Sequence, residues 1–103
     1  MTVKWVKVDP LVMNGEPFCY GTRLTVRNIL EMRSNGLSPT DMLAQFPELR
    51  RVGIAEAFRY AADNRARYSD FFEGAALRGH GFSADDAGRL PEHLRELNGV
   101  VVS

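Results

Sequence analysis

The chain has 103 residues, 45% hydrophobic and 25% charged, the balance of a soluble globular protein with a core of its own. Its one cysteine, Cys19, excludes an internal disulfide, and with no long apolar run and no leader pattern the expected location is cytoplasmic, away from membranes. Formal charge is zero but unevenly spread: residues 1–67 hold ten Lys and Arg against seven acids, and residues 68–103 hold three Arg against six acids, so a basic body with an acidic tail is set up to meet two different partners.

Val3 to Val8 mixes apolar residues with Lys4 and Lys7, the pattern of a half-buried strand that Asp9-Pro10 ends. Met13-Asn14-Gly15 marks a turn, and Pro17 to Tyr20 reads as a second extended run, giving an N-terminal hairpin. Trp5, Phe18 and Tyr20 are expected as core or cross-strand packing, and Cys19 as a small core residue. Gly21 then permits a bend into Thr22-Arg23-Leu24.

Thr25 is a candidate N-cap, followed by Val26, Ile29, Leu30 and Arg33 at helical spacing, and Gly36 stops this first helix, residues 26–35. Ser38-Pro39-Thr40-Asp41 is the strongest local signal in the chain. Ser38 caps, Pro39 takes the first helical position, and Asp41 stands near the positive helix end. Met42, Leu43 and Phe46 form the inner face of this second helix, which Pro47 ends. Ile54, Ala57, Phe58, Ala61 and Ala62 then define a third helix, residues 51–65, with Val52, Glu56, Arg59, Tyr60 and Asp63 facing outward.

Tyr68 to Leu77 is expected to extend the third helix or form another one, up to the break at Gly79-His80-Gly81. Ser83 reads as a further cap, Pro91 to Leu97 as a short last helix, and Val100 to Val102 as a terminal strand. The fold class is therefore mainly α with a small N-terminal hairpin. Its three-helix core has a helix-turn-helix arrangement, and a C-terminal helical extension follows.

The inventory for catalysis is poor. His80 and His93 have no partner at metal-ligand spacing, and Asp85-Asp86 belongs to a helix start, so no metal, cofactor or enzymatic reaction is expected. A binding role fits better. In a helix-turn-helix the amino end of the third helix enters the major groove, and Arg50 and Arg51 stand there, with Arg59 and Tyr60 further along the exposed face. Arg23 and Arg27 are further candidates, weighed against a solvated helix start or an internal salt bridge.

The segments Val8-Asp9-Pro10, Gly15-Glu16-Pro17, Gly21-Thr22-Arg23-Leu24-Thr25-Val26, Gly36-Leu37-Ser38-Pro39, Phe46-Pro47-Glu48-Leu49 and Ala57-Phe58-Arg59-Tyr60-Ala61 occur in this order. Over roughly residues 6–65 the chain resembles domain-of-unknown-function family 433, small bacterial proteins regarded as VapB-like antitoxins. The resemblance implies a homeodomain-like or winged helix-turn-helix fold that dimerises, binds its own promoter DNA and neutralises a PIN-like ribonuclease toxin. It also implies that Arg23 is the member of the Gly-Thr-Arg corner available for an outside contact. One departure stands out: Arg50-Arg51-Val52-Gly53 replaces the family's Ser or Thr cap and acids. That weakens the helix start by about 1 kcal/mol for the missing cap while making it more welcoming to phosphate.

These readings combine into an expected DNA-binding body, residues 1–65, that folds by itself, and a toxin-binding or dimerising extension, residues 66–103. Tyr68, Phe71, Phe72, Leu77 and Phe82 are the expected apolar anchors of the extension. The rival expectations are a protein-interaction module without DNA binding and a stand-alone transcriptional regulator.

Overall fold

A computed structural model describes residues 5–74 and 76–95 of the chain. The architecture is mainly helical with a small N-terminal β-hairpin. Strands β1 (Val6–Lys7) and β2 (Phe18–Cys19) pair antiparallel, Val6 opposite Cys19 and Lys7 opposite Phe18. Between them the chain makes a single 3-10 turn, Met13–Gly15, in which all three residues have positive φ. Tyr20 meets Trp5 edge-on across the hairpin, with ring centroids 6.3 Å apart. Of the expected first strand, Val3 and Lys4 lie outside the described residues.

The corner that follows is built by its own backbone and one hydroxyl. Gly21 takes φ +77°, and the Thr22 hydroxyl donates to the Cys19 carbonyl at 2.9 Å while accepting from the Leu24 amide at 3.1 Å. The Cys19 amide then bonds the Leu24 carbonyl at 2.9 Å, and the Val26 amide bonds the Pro17 carbonyl at 2.9 Å, so helix α1 (Val26–Ser34) starts fixed to strand β2. Thr25 and Asn28 close a reciprocal cap, each side-chain oxygen accepting the other's amide at 3.0 Å. Helix α2 (Pro39–Gln45) begins with the same device, Ser38 and Asp41 bonding each other's amides at 3.1 and 3.0 Å.

A five-residue connection containing the 3-10 turn Pro47–Leu49 leads from α2 to α3 (Arg51–Asp63). Leu49 is buried and anchors this connection, while Arg50 adopts φ +61° and gives α3 no side-chain cap. Ile54, Ala57, Phe58 and Ala61 are fully buried and pack α3 against Val26, Ile29 and Leu30 of α1 and Met42 of α2.

The chain beyond α3 differs from the helical expectation. Helix α3 stops at Asp63, where the Asn64 side-chain amide donates to the Tyr60 carbonyl at 2.9 Å, and competition of this kind ends helices. Instead of more helix there is a 3-10 turn, Ser69–Phe71, and a second hairpin of β3 (Phe72–Glu73) and β4 (Ala76–Leu77), with Phe72 opposite Leu77. Two short helices follow, α4 (Ala84–Ala87), capped by Ser83, and α5 (Glu92–Arg95). The expected strand at Val100 to Val102 lies outside the described residues.

The boundary expected at residue 65 does not divide the core. Tyr68, Leu77, Phe82, Ala87, Leu90 and Leu94 share one buried cluster with the side chains of α1, α2 and α3. Arg33, in the last turn of α1, holds the two parts together. Its side chain is 2% exposed; Nε donates to the Arg78 carbonyl at 2.9 Å and a terminal nitrogen to the Leu77 carbonyl at 3.4 Å. The guanidinium also lies 4.6 Å from the centre of the Phe58 ring. Burial lowers its pKa to about 10, so the group stays charged at neutral pH. The sequence pattern assigned only the stem of Arg33 to the apolar stripe; here the charged end is buried as well.

Candidate nucleic-acid and partner interface

Arg50 and Arg51 open α3 side by side, but their environments differ. Arg50 is exposed, its guanidinium 6.0 Å from the Trp5 ring centre. Arg51 turns toward α4: its Nε stands 3.5 Å from Asp86 Oδ1, and that nitrogen is sealed from solvent without a hydrogen bond. Asp86 also receives the Thr40 hydroxyl at 3.4 Å and lies 4.0 Å from Arg89. The basic entrance expected before α3 is therefore half open, with one arginine facing water and one facing an internal carboxylate.

Arg59 lies about two turns further along α3 and pairs with Asp63 at 3.8 Å, an exposed i,i+4 contact of little energetic weight. Tyr60, Arg27 and Arg23 are not part of this surface. Tyr60 meets Tyr68 edge-on at 6.3 Å, and Arg27 lies 5.3 Å from the Tyr68 ring centre and 5.6 Å from that of Phe71. Glu16 joins the same cluster, 3.6 Å from Arg27 and hydrogen-bonded to Arg67, which raises the Arg67 pKa; Arg27 also donates to the Arg67 carbonyl at 3.3 Å. Members of the expected DNA-contact set and of the expected anchor set thus meet in one aromatic and basic patch.

Arg23 is exposed and, with Glu48, lines an open groove of about 910 Å³, whose other lining residues are Leu11, Val12, Met13, Gly21 and Thr22. Leu11 is 94% exposed. The Gly-Thr-Arg corner therefore does two things: Thr22 locks the bend, and Arg23 is left at the surface.

Among the expected apolar anchors, Tyr68, Leu77 and Phe82 are corrected to core residues. They are 1%, 4% and 1% exposed, and Phe82 packs edge-on against Phe58 at 5.9 Å. The hairpin and the short helices fold these side chains inward, because a chain of this size lacks the interior to leave them out. Phe71 and Phe72 are half-buried, Phe72 beneath the Arg65 guanidinium at 4.9 Å. The residues sequence reasoning missed are Asp86, Glu16 and Arg67. The pairs Arg51–Asp86 and Arg67–Glu16 span 35 and 51 positions, beyond the reach of any local spacing rule.

Cys19 is buried, and desolvation pushes its thiol up to about 12, which holds it in the protonated form at neutral pH. Among the described residues no helix is long and apolar enough to cross a membrane.

A family model described as "Protein of unknown function (DUF433)" matches residues 6–61, more than half of the chain. No curated protein and no solved structure matches it.

Proposed function

The chain belongs to the DUF433 family, whose function is unknown, and on that premise we propose that it is a VapB-like antitoxin that binds its own promoter DNA and a PIN-like ribonuclease toxin. In this reading α2, the 3-10 turn and α3 are a helix-turn-helix, and α3 is the helix presented to the major groove. The observation that carries it is Arg50, exposed at the uncapped amino end of the longest helix, directly after a short and well-anchored turn. Free first-turn amides and the helix dipole favour a phosphate there, and Arg50 adds a full charge. Arg51 and Arg59, each paired among the described residues with a partly exposed carboxylate, are available to exchange that partner for the DNA backbone.

The toxin contact falls to the outer side of residues 66–95. Asp70, Glu73, Asp85 and Glu92 are exposed there, an acidic set suited to a basic partner, and Phe71 and Phe72 are half-buried in the same segment. Dimerisation would bring two copies of α3 to successive half-sites on the duplex.

A second reading, a protein-interaction module without DNA binding, is favoured by the groove at the Gly-Thr-Arg corner. Exposed Leu11 beside Arg23 and Glu48 suits a protein surface better than a phosphate backbone.

Reading the neighbouring gene for a small ribonuclease-like frame, co-expressing the chain with that product, and running a gel shift on the upstream fragment separate the readings. The antitoxin reading expects restored growth and a retarded band. Restored growth with no retardation supports the interaction module, and neither result leaves the antitoxin reading without support.

A further inference from the structure

Asp86 is placed by three features at once. Ser83 caps α4, its hydroxyl accepting the Asp86 amide at 3.2 Å, and Ala87 and Leu90 on the next turns are buried in the common core. The side chain is then presented to the first turns of two other helices, Oδ2 accepting the Thr40 hydroxyl of α2 and Oδ1 facing Arg51 of α3. A carboxylate held on an arginine at a helix start has the charge and the oxygen geometry of a phosphate contact. Arg51 and Asp86 are 33% and 20% exposed, and the Arg51 Nε makes no hydrogen bond. Such a pair is weak enough to be exchanged.

We propose that Asp86 is an internal competitor for DNA phosphate: α4 lays its carboxylate on Arg51 and so holds the DNA affinity of the resting chain below what α3 alone would give. This rests on the DNA-contact reading of α3. The acids of α4 are not equivalent in it, since Asp85 is exposed and meets no arginine among the described residues, whereas Asp86 engages Arg51. The C-terminal segment then regulates the same surface whose core it completes.

The test is a titration of the upstream duplex with the full chain, comparing wild type with Asp86→Asn, Asp85→Asn, Arg51→Gln and the Arg51→Gln/Asp86→Asn double variant. Asp86→Asn should bind about 3- to 10-fold tighter, the effect of one freed phosphate contact. Asp85→Asn, which changes the same charge one residue away, should stay within about 2-fold of wild type. In the Arg51→Gln background the Asp86→Asn gain should vanish, because the two side chains act through one contact. Thr40→Val, which loosens Asp86 from its other side, is the second variant and should move affinity the same way by less.

Wild-type binding with no gain from either Asp86→Asn or Thr40→Val overturns the competitor and leaves the DNA reading standing. A gain that survives Arg51→Gln, or that Asp85→Asn matches, also overturns it. Absence of binding by every variant removes both; binding by Asp86→Asn alone supports both.

Discussion

Arg33 and Gly79 form a close contact between the two parts of the chain. The Arg33 side chain holds the carbonyls of Leu77 and Arg78, and the next residue, Gly79, passes directly against the Arg33 backbone. A Cβ on Gly79 would fall into the Arg33 carbonyl group, 2.8 Å from its carbon, at a φ of +87° that other residues resist. Gly79→Ala is therefore expected to cost about 2–4 kcal/mol in urea unfolding; a loss below about 0.5 kcal/mol would deny the close approach. The sequence marked Gly79-His80-Gly81 as a break and Arg33 as the end of an apolar stripe. It did not reveal that the two meet, because a contact across 46 positions has no local signature.

At the level of elements, what was legible is what local hydrogen bonding decides. The caps Thr25 and Ser38, the helix-stopping Gly36 at φ +95° and the apolar faces of α1 and α3 follow from side chains within four positions of one another, though the reciprocal bond from Asn28 was not anticipated. The segment from Tyr68 to Leu77 was misread because two-residue strands carry no alternation to detect, and their hairpin is held by burial of Tyr68 and Leu77.

The cap of α2 also sets an acid dependence. The Ser38 amide and then its hydroxyl hold the Asp41 carboxyl below its ordinary value of 3.8. A carboxyl depressed in the folded state contributes stability that is present above the ordinary value and lost as pH falls through the folded one. Asp41→Asn should thus lose less stability than wild type between about pH 7 and about pH 2. Equal losses in urea midpoints would show that the cap carries no charge-dependent part.

For the whole molecule, the shared core changes what truncation means. Residues 1–65 alone would expose the surfaces that Tyr68, Leu77, Phe82, Leu90 and Leu94 now cover, and Arg33 would lose both carbonyls. Each buried side chain of this kind contributes about 1.5–3 kcal/mol, so the fragment should lose a cooperative thermal transition. A sharp melt near that of the full chain would restore the independent body expected from the sequence. The candidate interface was half legible in the same sense. Arg50 and Arg51 were found from their place before a helix, whereas the carboxylate facing Arg51 came from chain folded back from beyond residue 80.

The most direct measurement is the salt dependence of binding to the upstream duplex, with Arg50→Gln beside the wild type. If the amino end of α3 grips the backbone, wild-type affinity falls steeply between about 50 and 200 mM salt, and Arg50→Gln lowers both the affinity and that slope by about one unit. Identical slopes for the two proteins, or binding that salt does not weaken, would contradict the placement of DNA at α3.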